Sequence, residues 1–321
     1  MVKKSLKVIL ASAVILGGSV YTAPGAFHLA PKSAEAAYHN PDKPFHQNII
    51  ARFKSENAMR HLSYLSETIG PRVAGTEEER TAANYIKNEL EHYGYEVSTQ
   101  EFSIPDRLSG SLSVGGEELQ IRLATGSAPT NGPLAGEVVL AGLGKPGDFP
   151  ADTAGKIALI QRGEISFWDK AANAIQAGAV GVIIYDNADA LVPPTPSLGG
   201  QESSIPVAAV TKADGEKMAA EIQQGTLTAI LEVESMTNQT SQNVIAVKKA
   251  THAKGKADIV YVSAHYDSVP YSPGASDNGS GTSVTLEMAR ILSKMPTNKE
   301  LRFVFVGAEE IGLLGSEYYV S

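Results

Sequence analysis

An α/β architecture built on an open sheet follows from three observations on the 321-residue sequence. Asp258 to Gly315 reads as strand, acidic loop, helix, strand and paired glutamates. Residues 56–102 read as helix, helix, strand, a plausible opening for the same class. Between these parts lies a stretch dense in glycine, alanine and proline, with shorter strands. Strands joined through a helix pair in parallel, and open α/β sheets gather their ligand sites at the carboxyl ends of such strands.

In chain order, Lys3, Lys4 and Lys7 form a basic n-region, and Val8 to Val20 is an apolar h-region too short for a comfortable membrane span. Ala34-Glu35-Ala36 is the best A-x-A cleavage site, so residues 1–36 are read as a signal peptide. The mature protein is expected to be secreted, without a membrane attachment after cleavage. The absence of cysteine fits an oxidising compartment and excludes lipid attachment at a thiol.

Glu56 to Ile69 reads as a helix, since Met59, Leu62, Leu65 and Ile69 recur near helical spacing and Gly70-Pro71 stop the run. Thr76 with Glu79 makes a capping box for a second helix, whose buried stripe is Ala82, Ile86, Leu90 and Tyr93 and whose stop is Gly94. Tyr95 to Phe102 then reads as a strand. From about Gly132 to Val233 the strands shorten to pieces such as Val138-Val139-Leu140 and Ile157-Ala158-Leu159-Ile160. One short helix, about Trp168 to Ala177, leads through Gly178 into Val180 to Tyr185.

No histidine occurs between His92 and His252, and this stretch holds no catalytic cluster. It is therefore read as a small module at 131–235, inserted between 45–130 and 236–321 of an enzyme domain. Gly142-Leu143-Gly144-Lys145-Pro146-Gly147 matches G-x-G-x-x-G, but Pro146 and Pro150 oppose the helix that this phosphate fingerprint must open. After the insert, Asn243 to Val247 resumes the strand pattern. Ile259 to Ala264 runs into His265-Tyr266-Asp267, Ser276-Asp277-Asn278-Gly279 sits at the mouth of a helix, and Leu301 to Val306 leads to Glu309-Glu310.

A hydrophobic content of 43% with 19% charged residues describes a globular chain with room for two domains. A net charge of −8, without a basic patch interleaved with aromatics, argues against nucleic acid as a partner.

One imidazole and several carboxylates at successive loops of one strand–helix–strand unit suit zinc, which takes neutral histidine nitrogen and carboxylate oxygen. His265, Asp277 and Glu310 are suitable ligands, and Asp277 has two oxygens with which to bridge two metals. Asp267, two residues past His265 on an extended chain, points the same way and could accept the other imidazole N–H. Glu309 and Glu310 on an extended segment project to opposite sides, one to the metal and one to the substrate as general base. Residue chemistry alone does not say which glutamate does which. Each piece has a plainer reading as a strand end, a turn or a solvated helix start, and their coincidence in one unit favours a metal-dependent hydrolase. A serine nucleophile is disfavoured because no G-x-S-x-G elbow is present.

Taken together, His265-Tyr266-Asp267-Ser268, Gly274 to Gly281 and Gly307-Ala308-Glu309-Glu310 through Ser316 closely resemble the M28 family of di-zinc peptidases, nearest to secreted bacterial aminopeptidases of the aminopeptidase Y type. Glu67-Thr68-Ile69-Gly70-Pro71-Arg72 is similar to that family's N-terminal part. Gly155 to Gly163 and Ala177 to Val182 resemble a protease-associated (PA) domain. The resemblance implies an α/β/α sandwich around a mixed sheet and two zinc ions, with His265 binding one, Asp277 bridging both and Glu310 binding the second. It implies Glu309 as general base, Asp267 as the orienter of His265, and peptides with a free N-terminus as substrates, attacked by a bridging hydroxide.

The family pattern also calls for an aspartate and a histidine after the Glu-Glu motif. No histidine follows His265 and no aspartate follows Asp277, so the chain is expected to be C-terminally truncated, to bind zinc poorly and to lack turnover. The competing readings are a carboxypeptidase of the same fold and a non-catalytic binding protein that keeps the peptidase fold.

Overall fold

A computed structural model describes residues 49–252 and 255–321. The predicted signal peptide lies outside these residues. Residues 51–321 form one compact unit containing two sheets.

The first sheet positions the candidate site. Its strands are β1 (Glu96–Ser103), β10 (Thr240–Lys248), β11 (Ile259–His265) and β12 (Glu300–Val306), in the order β1-β10-β12-β11. β1 and β10 pair antiparallel, as do β10 and β12, whereas β12 and β11 are parallel, so the sheet is mixed. α5 (Ser280–Ser293) makes the crossover that a parallel pair requires.

Helices cover both faces. α1 (Ser55–Ser63, continued by a π-helical turn over Tyr64–Ile69), α2 (Glu77–His92) and α5 bury Leu65, Ala82, Ile86, Leu90, Leu286 and Ala289 against Val97, Val244, Phe303 and Phe305. Strand alternation puts Phe102 on the opposite face from Val97. There it stacks on Tyr318 of α6 (Leu314–Val320), 5.2 Å between ring centroids. The α/β/α layering implied by the resemblance is thus present. α1 departs from expectation in its buried face, which is Ala58, His61 and Leu65, while Met59 is exposed. The same spacing shifted by one position round the helix turns this methionine to solvent.

The second sheet has the order β3-β2-β9-β5-β6-β7-β8-β4. Its parallel centre is β5 (Leu134–Leu140), β6 (Ile157–Gln161), β7 (Gly181–Tyr185) and β8 (Val207–Val210). β6 is buried on both faces: Ile157 and Leu159 enter one apolar cluster, Ala158 and Ile160 the other. α3 (Phe167–Gln176) and α4 (Lys212–Ile222) cover it, one on each face.

The sheet also recruits residues ahead of 131. β2 (Arg107–Val114) pairs with β9 (Thr228–Met236), and β3 (Glu117–Leu119) and β4 (Arg122–Leu123) stand at its edges. The glycine-rich decoy folds into a 3-10 turn over Pro146–Asp148, where the Asp148 carboxylate accepts from the N–H groups of Leu143 and Lys145, both at 3.0 Å. Among the described residues no helix is long and apolar enough to cross a membrane.

Glu79 joins helix to sheet. Thr76 caps α2 by accepting from the Glu79 N–H at 3.3 Å, but the Glu79 carboxylate does not return to Thr76 as a capping box would. It accepts instead from Gly75 N–H at 2.6 Å, from the Ser241 hydroxyl of β10 at 2.6 Å and from Ala308 N–H at 3.3 Å. Burial to 1% exposure raises its pKa to about 7, against the three hydrogen bonds that favour the ion. Its folded pKa therefore lies above the ordinary value of 4.5, and the native state holds this proton more tightly than the unfolded chain. The stability that Glu79 contributes when protonated is lost as pH rises through that window. Relative to a Glu79→Gln variant, which cannot titrate there, the unmodified protein should lose roughly 3 kcal/mol at most between about pH 4.5 and 7, then level off. Urea unfolding of both proteins across that range checks this, and a difference that stays flat or grows with pH refutes it.

Candidate metal centre

The parallel register of β11 and β12 sets His265 opposite Val306 at the carboxyl ends of both strands. Along β11 and beyond it, alternation sends Tyr266 into the core, where its hydroxyl donates to Gln242 O at 2.5 Å. His265 and Asp267 face the other way. The Thr282 hydroxyl on the first turn of α5 donates to the His265 carbonyl at 2.8 Å, closing the strand end against the helix.

Asp277 lies in the π-helical turn Ala275–Gly279, at non-helical φ −114 and ψ 106, and its carboxylate does not cap α5. The turn is entered through Gly274 in the left-handed region, φ 56. After β12, Ala308 is also left-handed, at φ 52. This breaks the extended run, and Glu309 closes a turn by accepting from Gly312 and Leu313 N–H groups at 3.0 and 2.8 Å. The expectation that Glu309 and Glu310 project to opposite sides therefore fails, because strand alternation ends at Ala308. Both carboxylates turn toward His265.

One ligand atom from each of His265, Asp277 and Glu310 can be chosen so that all lie within 4.8 Å of one another. His265 Nε2 stands 3.1 Å from Asp277 Oδ1 and 3.8 Å from Glu309 Oε2. Its other nitrogen, Nδ1, faces Asp267 Oδ1 at 3.5 Å, an ion-pair distance longer than a good hydrogen bond. These two atoms are buried and have no hydrogen-bond partner among the described residues. The second Asp267 oxygen accepts from the Glu310 N–H at 3.0 Å, so one fully buried carboxylate touches both ligand loops.

The electrostatics follow from this crowding of carboxylates. Burial alone would lower the His265 pKa, but Asp267, Glu309 and Asp277 hold it up at about 9. Burial raises the Glu310 carboxyl, and the neighbouring Asp277 adds to the effect. The donor set fits zinc: one imidazole and two carboxylates gather within 4.8 Å of one another, and the 80% exposed Asp277 side chain leaves one side open.

The five residues singled out from sequence are thus brought to one place. Sequence reasoning assigned no task to Arg72 or Ser268 and gave Glu79 only a helix cap, although all three are buried behind the ligand loops. The Gly70-Pro71-Arg72 corner was the available signal for the first of them. The loop between His265 and Asp277 carries Tyr271, whose hydroxyl donates to Gly110 O of β2 at 3.3 Å, so the second sheet touches that segment.

Comparison with known proteins agrees with this geometry. The Peptidase family M28 model matches residues 243–321 and the PA domain model matches residues 130–218. Aminopeptidase YwaD of Bacillus subtilis (strain 168) is 51% identical over 269 residues, which are 84% of this chain and 58% of that protein. The solved zinc aminopeptidase BSAP from Bacillus subtilis has 51% identity and a TM-score of 0.61, over 84% of this chain and 64% of that one. The solved aminopeptidase from Aneurinibacillus sp. strain AM-1 has 40% identity and a TM-score of 0.51, over 85% of this chain and 67% of that one. Leucine aminopeptidases of fungi match over 50% of their own length, so the chain spans between half and three fifths of such curated relatives. With the M28 match falling on the strands and loops that carry His265, Asp277 and Glu310, and two thirds of a 40% identical aminopeptidase covered, the chain belongs to peptidase family M28 and carries a PA domain.

Proposed function

We propose that these residues form the zinc-binding half of an exported aminopeptidase that removes N-terminal residues from peptides. The observation that carries the reading is the convergence of His265, Asp277 and Glu310 within 4.8 Å, with Glu309 a further 3.8 Å from the imidazole. His265 and Glu310 would each hold one of two zinc ions, and Asp277 would share its two oxygens between them. Zinc, when bound, supplies Lewis acidity and lowers the pKa of water.

The chain's own residues do the rest. Asp267 fixes the imidazole orientation from behind and holds the Glu310 backbone. Glu309, half-buried beside His265 and outside the ligand trio, takes a proton from the attacking water and passes it to the departing amine. The second sheet borders the entrance through the Tyr271–Gly110 contact. Export is supported by the basic residues Lys3, Lys4 and Lys7, the apolar run to Val20 and the Ala34-Glu35-Ala36 site.

Four outcomes test this reading. Residues 37–321 alone, which do not contain the further aspartate and histidine of the family pattern, should bind zinc weakly and leave leucine p-nitroanilide without appreciable hydrolysis. Ready turnover would remove that expectation. In a form that supplies both further ligands, Glu309→Gln should lower hydrolysis of free peptides by about 10²–10⁴-fold while zinc stays bound. N-blocked peptides should remain uncut by the unmodified enzyme, and retained turnover in the variant removes the base assignment. N-terminal sequencing of protein from culture medium should begin at Ala37; an intact Met1 on a cell-bound product argues against export.

A further inference from the structure

The corner Gly70-Pro71-Arg72 has no part in the zinc reading, yet Arg72 is fully buried and its guanidinium binds only backbone carbonyls. Nε donates to Tyr266 O at 2.7 Å. Nη1 donates to Leu65 O and Gly70 O, each at 2.9 Å, and to Pro273 O at 2.7 Å. Nη2 donates to Gly274 O at 3.0 Å. The main chain adds two bonds: Arg72 N–H donates to Ser268 Oγ at 2.9 Å, and Ser268 N–H to Arg72 O at 3.0 Å.

Tyr266 directly follows His265, and Pro273 and Gly274 shortly precede Asp277. One rigid fork therefore grips both ends of the loop that separates the two ligands, and ties them to the end of the π-helical turn through Leu65 and Gly70. Gly274 is shaped to this grip. A Cβ there would stand 2.5 Å from Ser268 Cβ and 2.7 Å from Arg72 Nη2.

Burying a guanidinium without a hydrogen-bonded carboxylate carries a desolvation cost, which its carbonyl partners must offset. A neutral group could satisfy one or two of these carbonyls, but only the planar five-donor fork reaches all of them at once. We propose that Arg72 is a positioning residue for the metal centre, setting the His265–Asp277 separation before zinc binds. This rests on the zinc reading above.

The test is zinc affinity of a form that supplies both further ligands of the family pattern, measured by competition with a low-affinity zinc indicator, on protein whose near-UV circular dichroism shows it folded. Arg72→Lys keeps the charge and loses the fork, and it should bind zinc about tenfold more weakly. Ser268→Ala removes one brace and should weaken zinc binding by less than Arg72→Lys does. Unchanged affinity in folded Arg72→Lys overturns the proposal. If that variant does not fold, Ser268→Ala decides: weakened affinity supports the proposal and unchanged affinity overturns it. No zinc binding by the unmodified form that carries both further ligands overturns the metal reading and this inference together, whereas equal binding by the folded variants overturns this inference alone.

Discussion

The parallel pairing of β11 with β12 is the constraint on which the candidate site depends. Its register places His265 across from Val306, so the loops bearing Asp277 and Glu309-Glu310 leave the sheet at the same edge. β12 is an anchored member of the pair, with Phe303 and Phe305 buried on one face and Val304 and Val306 on the other. A slip of one residue would exchange the faces of β11 and send His265 toward the core position now held by Tyr266. The site is therefore as well defined as the strand register, and the core packing of β12 protects that register.

Two carboxylates extend this constraint beyond the strands. Asp267 reaches from the end of β11 to the Glu310 backbone, and Glu79 reaches from the start of α2 to Ser241 and Ala308. Ala308 sits in a left-handed conformation that a residue with a Cβ rarely adopts, and such positions persist only where surrounding structure holds them. The Glu79 bond to its N–H is part of that hold, so the direction in which Glu309 and Glu310 point is set partly from a helix more than two hundred residues earlier in the chain.

Much of this was legible in the sequence because it is local. His265 and Asp267 share a face through strand alternation, α2 announces itself through Thr76 and its apolar stripe, and β6 and β7 are unbroken apolar runs. β2 was not legible. Its Leu108-Ser109-Gly110-Ser111 stretch carries little apolar signal, and it becomes a strand by pairing with β9, more than a hundred residues away. Met59 misled because a helical spacing identifies a stripe without saying which neighbouring stripe meets the core, and His61 with its bond to Tyr85 takes that place. Arg72 was hidden for a different reason. The partners of its guanidinium are main-chain carbonyls, which carry no residue identity, and three of them become visible only when residues 266–274 fold back onto it.

The electrostatic balance explains why such bracing is needed. Asp267, Asp277, Glu309 and Glu310 crowd around one imidazole, and their mutual repulsion would drive the loops apart. A proton on His265 relieves part of that repulsion, which is why its pKa is held up at about 9 after burial has pulled it down. His265 would have to be neutral to hold the proposed zinc, so binding at neutral pH would release this proton and would weaken as the solution is acidified. The ligands cannot relax into a better arrangement at that moment, because Asp267 and the buried fork of Arg72 already hold their backbones. Rigid backbone and crowded carboxylates together would suit a compact dication.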